Sequence, residues 1–482
     1  MHSEKLEKFR TERLDEMTIS GMQELMEEGE LTAEELVLMY RENISLRKDV
    51  NAVLELNPDA LQIAQALDFE RKTKGARSKL HGIPLLVKDN FGTADKMHTT
   101  AGSLALENHY ATEDADTVRR LREAGAVILG KSNMTEWANF MSQDMPNGYS
   151  SRGGQVKNPY GDFDVGGSSS GSAAGTAANL AAGAVGTETS GSVINPAAQN
   201  SLVGIKPTVG LASRRGIIPL SHTQDTPGTF GRTVEDAVII LGAMAGHDPK
   251  DPITVMAEPF ENYDWSLHFK STGLEGVRIG IPRNLFEQDI SREMRALFSD
   301  AIRKLEACGA EVKDPIDLEV VQEDLGFAVL LHEFKADLDY YLGKSNPLNP
   351  IRSMRDVMSY NSENAGKMLK FGQNLLEKAS TLTGELTERE YEEALERNRF
   401  LAAERGLRKN MEDAGVDVIL LPQDFGCNIG AAAGFPSITV PAAFTEEGEP
   451  FGITFTGQSF AEPQLIEYAF AFEQFVRARR KP

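Results

Sequence analysis

One lysine and a run of small hydroxyl-bearing residues set the chemistry open to this chain. Lys88 ends the apolar run Ile83-Pro84-Leu85-Leu86-Val87. Downstream, Gly166 to Ser192 reads GGSSSGSAAGTAANLAAGAVGTETSGS, with Glu188 as its single charge. Two separated serines and a lysine suffice for nucleophilic attack on a carbonyl. A serine hydroxyl is a poor nucleophile by itself and needs a base within about 3 Å. No histidine lies in the small-residue segment. His81 and His222 are the nearest informative ones, and the sequence offers neither an evident carboxylate partner. A neutral lysine can serve as the base. Burial in apolar surroundings lowers a lysine pKa by up to several units, and the run before Lys88 supplies such surroundings. Asp89 is adjacent, but on a strand it points to the opposite face.

The glycines have a separate logic. In Ser190-Gly191-Ser192 the glycine lets the backbone turn sharply and approach a bound carbonyl. The N–H groups of Thr189, Ser190 and Gly191 are then candidates to hold the developing oxyanion. Loss of one such donor costs about 3 kcal/mol in a transition state. The small residues from Ala173 to Ala184 let a helix pack closely on a sheet. A helix N-terminus near Ser170 favours negative charge beside it. The bland readings are a solvated strand end for Lys88 and a flexible loop for the small residues. Gly130-Lys131-Ser132 is not read as a phosphate-binding loop, on the reading that it lacks the preceding glycine at the required spacing.

These groups need a scaffold. The chain has 482 residues, 41% of them apolar, which is ample for one or two large cores. The run 83–87 reads as a buried strand that delivers Lys88 to a sheet edge. Residues 115–124 read as a helix, and Ala126 to Gly130 as a parallel-type strand. Helix and strand then alternate, the pattern of an α/β fold. Strands are expected at 277–282, 309–312, 417–422, 437–441 and 451–457. Helices are expected after Arg232, over 291–307 and from Pro463 to about Arg479. Residues 17–75 read as helices, with a capping box at Thr32-Ala33-Glu34-Glu35. The stretch 320–410 is more charged and mainly helical, with the loop 344–350 inside it. It reads as an excursion that covers the substrate pocket. No clean linker appears, so a single α/β domain over 1–482 is expected, with a helical N-terminal region at 1–75.

Composition removes several functions. A net charge of -22 opposes an electrostatic grip on nucleic acid or anionic membranes. Two cysteines, Cys308 and Cys427, allow one bridge but no disulfide framework. The eight histidines show no metal-ligand spacing, so no metal or cofactor is expected. The charged N-terminus has no apolar leader core, and no run of 18 apolar residues occurs. A cytoplasmic, soluble protein is the expectation.

The particular strings go further. The chain resembles the amidase signature family. The matching segments run from Gly166-Gly167-Ser168-Ser169 through Gly186-Thr187-Glu188-Thr189-Ser190-Gly191-Ser192 to Gly204-Ile205-Lys206-Pro207-Thr208. Gly82 to Asp89, Thr99 to Ser103, Gly130 to Met134, Asn158-Pro159-Tyr160 and Gly434 to Pro441 also fit, in the right order. The resemblance implies a single α/β domain on a large mixed β-sheet covered by helices. It implies a catalytic set of Ser192 as nucleophile, Ser168 as bridging serine after a cis peptide, and Lys88 as base. The implied reaction is hydrolysis of a linear carboxamide through a serine acyl-enzyme.

Two departures narrow the branch. Many members carry Asp-Ile-Gly-Gly-Ser where this chain has Glu188 to Ser192, and Arg where it has Ile194. With Arg215-Gly216-Ile217-Ile218-Pro219 and Gln224-Asp225-Thr226, these look similar to the peptide amidase branch, which acts on C-terminal carboxamides. The expected substrate is a small-molecule or short-peptide amide, with no nucleic acid, membrane or obligate protein partner. One rival is the glutaminase (A) subunit of an aminoacyl-tRNA amidotransferase. Another is a non-catalytic binding protein on the same fold.

Overall fold

The apolar runs that lead to Lys88 and Ser132, and the small-residue stretch that ends at Glu188, become three adjacent strands, and the rest of the molecule is built around them. The computed structural model describes residues 4–318, 325 and 327–482. In chain order its strands are β1 (Val53–Leu56), β2 (Pro84–Lys88), β3 (Val127–Ser132), β4 (Tyr149–Ser150), β5 (Gly154–Gln155), β6 (Gly183–Glu188) and β7 (Val203–Lys206). There follow β8 (Thr226–Gly231), β9 (Arg278–Gly280), β10 (Glu311–Lys313), β11 (Val418–Pro422), β12 (Ser437–Phe444) and β13 (Pro450–Thr456). β4 and β5 pair only with each other. The other eleven form one sheet in the order β1-β3-β2-β6-β8-β7-β12-β13-β11-β9-β10.

β2 lies parallel to both β3 and β6. All three are buried along their whole length, as parallel strands covered on both faces require. The strands from β6 through β13 pair antiparallel, and β11, β9 and β10 return to parallel. The sheet is therefore mixed, and the fold is a single α/β domain. Helix Ser170–Ala177 packs on β2 and β6, and helix Val234–Met244 on β7 and β8. The first helix consists of Ser, Gly, Ala and Thr only, so it can sit at backbone contact. A Cβ on Gly171 would lie 2.4 Å from the carbonyl oxygens of Ala52 and Asn133.

Some sequence readings change. The stretch 17–75 holds helices Ile19–Glu27, Ala33–Leu46 and Ala60–Lys74, and the Thr32–Glu35 capping box is present. It also holds β1, a half-buried edge strand antiparallel to β3. Four residues of apolar and acidic character are too short a signal beside two helices. β6 and β8 were not anticipated either: β6 lies in the small-residue segment, and in β8 Pro227, Gly228 and Gly231 argue against a strand. Tertiary packing reverses that argument: a Cβ on Gly228 would lie 2.6 Å from the Ile205 carbonyl oxygen. Gly125 to Ser132 in fact spells GxxxxGKS, the string of a phosphate-binding loop, so the spacing does not exclude one. The fold does, since Val127–Ser132 is a buried strand rather than a loop. Lys131 Nζ is spent on the Phe91 carbonyl and the Thr99 hydroxyl.

In the stretch 320–410, residues 320–324 and 326 lie outside the described residues, as do 1–3 of the N-terminal region. The described remainder includes helices Ala328–Lys344, Met354–Glu363, Asn374–Ser380 and Arg389–Arg399. Cys308 and Cys427 are both free thiols. Among the described residues no helix is long and apolar enough to cross a membrane.

Candidate active site

Lys88 stands at the C-terminal end of β2, and the residues after β6 emerge beside it. Its side chain has no solvent exposure. Nζ lies 2.8 Å from Ser168 Oγ, 2.9 Å from Thr187 Oγ1 and 3.2 Å from the Thr187 carbonyl oxygen. Ser168 Oγ lies 3.0 Å from Ser192 Oγ. Burial pulls the Lys88 pKa down to about 7, against the opposing pull of the Asp225 and Glu188 carboxylates. Asp89 does point away: its carboxylate accepts from the Thr100 hydroxyl and the Gly102 N–H, with Arg152 beside it.

The Gly167–Ser168 peptide is cis. Three hydrogen bonds hold this stretch. Gly167 N–H donates to Asn195 Oδ1 at 2.9 Å, Thr135 N–H to the Ser168 carbonyl at 3.0 Å, and Ser169 N–H to the Ser192 carbonyl at 3.3 Å. The last bond ties the two serine segments together directly.

The turn from Thr189 to Ser192 is clamped at both ends. Gly191 has φ +81°, the left-handed region that glycine enters freely. Past the turn, Glu188 Oε2 accepts from the Val193 and Ile194 N–H groups at 2.7 and 2.9 Å. Before it, the Thr189 hydroxyl donates to Asp225 Oδ1 at 2.5 Å, and Gln224 Nε2 donates to the Thr189 carbonyl at 3.1 Å. The N–H groups of Thr189, Ser190 and Gly191 donate to no other described residue. Ser192 is 7% exposed. Ile194, in place of the family's frequent Arg, is fully buried.

Ser192 opens into a cavity of about 660 Å³, walled by Phe140, Met145, Leu220, Leu330 and Leu375 among others. None of its described lining residues carries a charge. Leu325, Phe327, Leu330, Leu375 and Asn398 come from the 320–410 stretch. A second cavity of about 450 Å³ lies behind the Thr189–Leu220 wall, with Asn90, Thr187 and Asp225 on its surface.

All six residues singled out in the sequence therefore meet at one place. Sequence reasoning missed Thr187, Asn90, Gln224 and Asp225 as parts of it. The Gln224-Asp225-Thr226 string was visible, but only as a branch marker. His222, which lacked an evident carboxylate, has two: Asp337 at 2.9 Å and Glu333 at 3.6 Å, both from helix Ala328–Lys344. These three are the His and acid groups that could converge on a cation among the described residues. Hydrogen bonds already account for them, since Glu333 also accepts from Ser221, Thr223 and Tyr391.

A family model described as Amidase matches residues 35–428. The chain belongs to the amidase signature family. A native peptide amidase structure from Stenotrophomonas maltophilia superposes with a TM-score of 0.92 at 41% identity, covering 98% of this chain and 99% of that one. A probable amidase of Arabidopsis thaliana is 41% identical, covering 97% of this chain and 92% of that protein. The A subunit of the mitochondrial glutamyl-tRNA(Gln) amidotransferase of Rattus norvegicus is 31% identical, over 95% of this chain and 94% of its own length. The amidase is thus a serine hydrolase of the peptide-amidase-like branch, related to enzymes that hydrolyse carboxamides.

Proposed function

We propose that this amidase removes ammonia from neutral linear carboxamides, C-terminal peptide amides included, through an acyl-enzyme on Ser192. The observation that carries the reading is the unbroken contact Lys88 Nζ–Ser168 Oγ–Ser192 Oγ, 2.8 and 3.0 Å, with the amine fully buried. A neutral amine has two N–H groups and one lone pair. The Thr187 carbonyl can only accept, so one N–H goes there. The second suits Thr187 Oγ1, which leaves the lone pair for the Ser168 hydroxyl. Ser168 then passes its proton to Lys88 as it takes the proton of Ser192, and Ser192 Oγ attacks the amide carbon. The N–H groups of Thr189, Ser190 and Gly191 hold the oxyanion. Reversal of the relay protonates the departing nitrogen, ammonia leaves, and water attacks the ester by the same path.

The uncharged lining supports a neutral acyl group. Free glutamine carries an ammonium and a carboxylate, and burying either without a partner is costly. The glutaminase reading therefore fits this cavity poorly, and we infer that the chain acts without a second protein. The 320–410 stretch supplies one wall of the cavity and is proposed as its cover.

The test is ammonia release from simple carboxamides, N-acetylated dipeptide amides and glutamine, with Ser192→Ala and Lys88→Ala as blanks. Neutral carboxamides should be consumed by the purified chain alone, and both blanks should fall by at least about a thousandfold. A fluorophosphonate should label the native protein and not Ser192→Ala. Glutamine as the preferred substrate, or labelling that survives in Ser192→Ala, would overturn the proposal.

A further inference from the structure

The Gln224-Asp225 pair lies outside the Lys88–Ser168–Ser192 relay, yet both side chains end on Thr189, the residue that opens the turn before Ser192. Asp225 Oδ1 accepts from the Thr189 hydroxyl at 2.5 Å, while Oδ2 accepts from the Leu220 and Ser221 N–H groups at 2.8 and 3.0 Å. Gln224 Nε2 donates to the Thr189 carbonyl oxygen at 3.1 Å. Thr189 is thus held by its side chain and by its backbone, from two consecutive residues of one loop. That loop is itself pinned to helix Ala328–Lys344, through His222 to Asp337 and Ser221 to Glu333.

The backbone contact has a geometric consequence. The Thr189–Ser190 peptide is trans, so its C=O and N–H point in opposite directions. Drawing the carbonyl oxygen towards Gln224 aims the Ser190 N–H the other way. No described residue accepts from that N–H. Gln224 and Ser190 both border the Ser192 cavity. We propose that Gln224 and Asp225 are positioning residues that set the oxyanion-binding peptide of this amidase, Gln224 by orienting the Ser190 N–H and Asp225 by anchoring Thr189. The inference rests on the serine acyl-enzyme reading above.

The two residues separate by charge. Gln224 is neutral and acts through geometry alone. Asp225 also faces Lys88, as Glu188 does at the end of β6; these are the two carboxylates that favour its ammonium form. Replacing Asp225 by Asn keeps the size, removes one negative charge and turns one of its two accepting oxygens into an NH2 donor, so either the Thr189 hydroxyl or the Leu220 and Ser221 N–H groups lose their acceptor. Lys88 then becomes easier to deprotonate.

The experiment uses the full chain and an N-acetylated dipeptide amide. Gln224→Met keeps the length and removes the donor. It should lower kcat by about ten- to a hundredfold with KM within about twofold. It should weaken a peptide aldehyde, whose adduct places an oxyanion in the site, by the same factor. Affinity for the matching peptide alcohol should be unchanged, and the pH profile should keep its midpoint. Asp225→Asn, whose amide nitrogen cannot accept as the carboxylate does, should lower kcat and aldehyde affinity in parallel, with alcohol affinity unchanged, and it serves where Gln224→Met does not fold. Loss of alcohol affinity in parallel with aldehyde affinity would overturn the proposal, because Gln224 would then be a ground-state contact. So would native kcat in Gln224→Met or in Asp225→Asn. Activity surviving in Ser192→Ala sinks the underlying mechanism instead, and so tells the two failures apart.

Discussion

At the scale of single residues, the buried amine decides when the site works. The neutral form of Lys88 is the base, and its pKa is lowered to about 7 by burial. Below that value the ammonium predominates and has no lone pair for Ser168. With chemistry rate-limiting, kcat should therefore fall about tenfold per pH unit below about 6 and level off above about 8. A stopped ammonia assay across pH 5 to 9 checks this, and a flat profile would contradict it. Lys88→Arg should be inactive throughout that range, because a guanidinium stays charged. Glu188 shows why the longer acid is tolerated where many relatives have Asp. One of its oxygens reaches two consecutive N–H groups, of Val193 and Ile194, beyond the turn.

At the scale of elements, the site depends on how closely helix Ser170–Ala177 can lie on the sheet. Gly171 stands where the helix meets two backbone carbonyls. Gly171→Val should cost about 1–3 kcal/mol or more through overpacking. It should also lower kcat, because the displaced helix carries the Ser168 segment with it. A urea midpoint together with steady-state kinetics measures both. Gly343, in helix Ala328–Lys344, is the control: nothing lies within 4 Å of its would-be Cβ. Gly343→Ala should leave kcat unchanged and raise stability by up to about 1 kcal/mol. Native stability in Gly171→Val would show that the helix has room to spare.

At the scale of the whole molecule, Arg479 draws the two ends of the chain onto the core. Its guanidinium meets Glu16 through two bonds, at 2.7 and 2.8 Å, and donates to the carbonyls of Ser201 and Ala177. Ala177 is the last residue of the helix that follows Ser168. Arg479→Ala should cost about 1–3 kcal/mol, since a bidentate pair and two carbonyl bonds are lost. Its kcat should stay within about twofold of native, because no catalytic group is touched. Thermal unfolding and the ammonia assay read the two effects separately.

Much of this was written in the chain order. Uninterrupted apolar runs mark β2 and β3 because strands buried on both faces need apolar residues on both. The small residues before Ser192 mark a close helix–sheet contact, because nothing larger fits there. The family strings mark Lys88, Ser168 and Ser192. What the sequence by itself determined is therefore the chemical inventory and the local elements, which depend on near neighbours along the chain. The tertiary structure decided the rest: β8 despite its proline and glycines, the carboxylates of His222 from 110 or more residues away, and the hold of Gln224 and Asp225 on Thr189. Those contacts join segments distant in sequence. Their geometry follows from how the sheet orders its strands, and no local pattern of residues encodes that order.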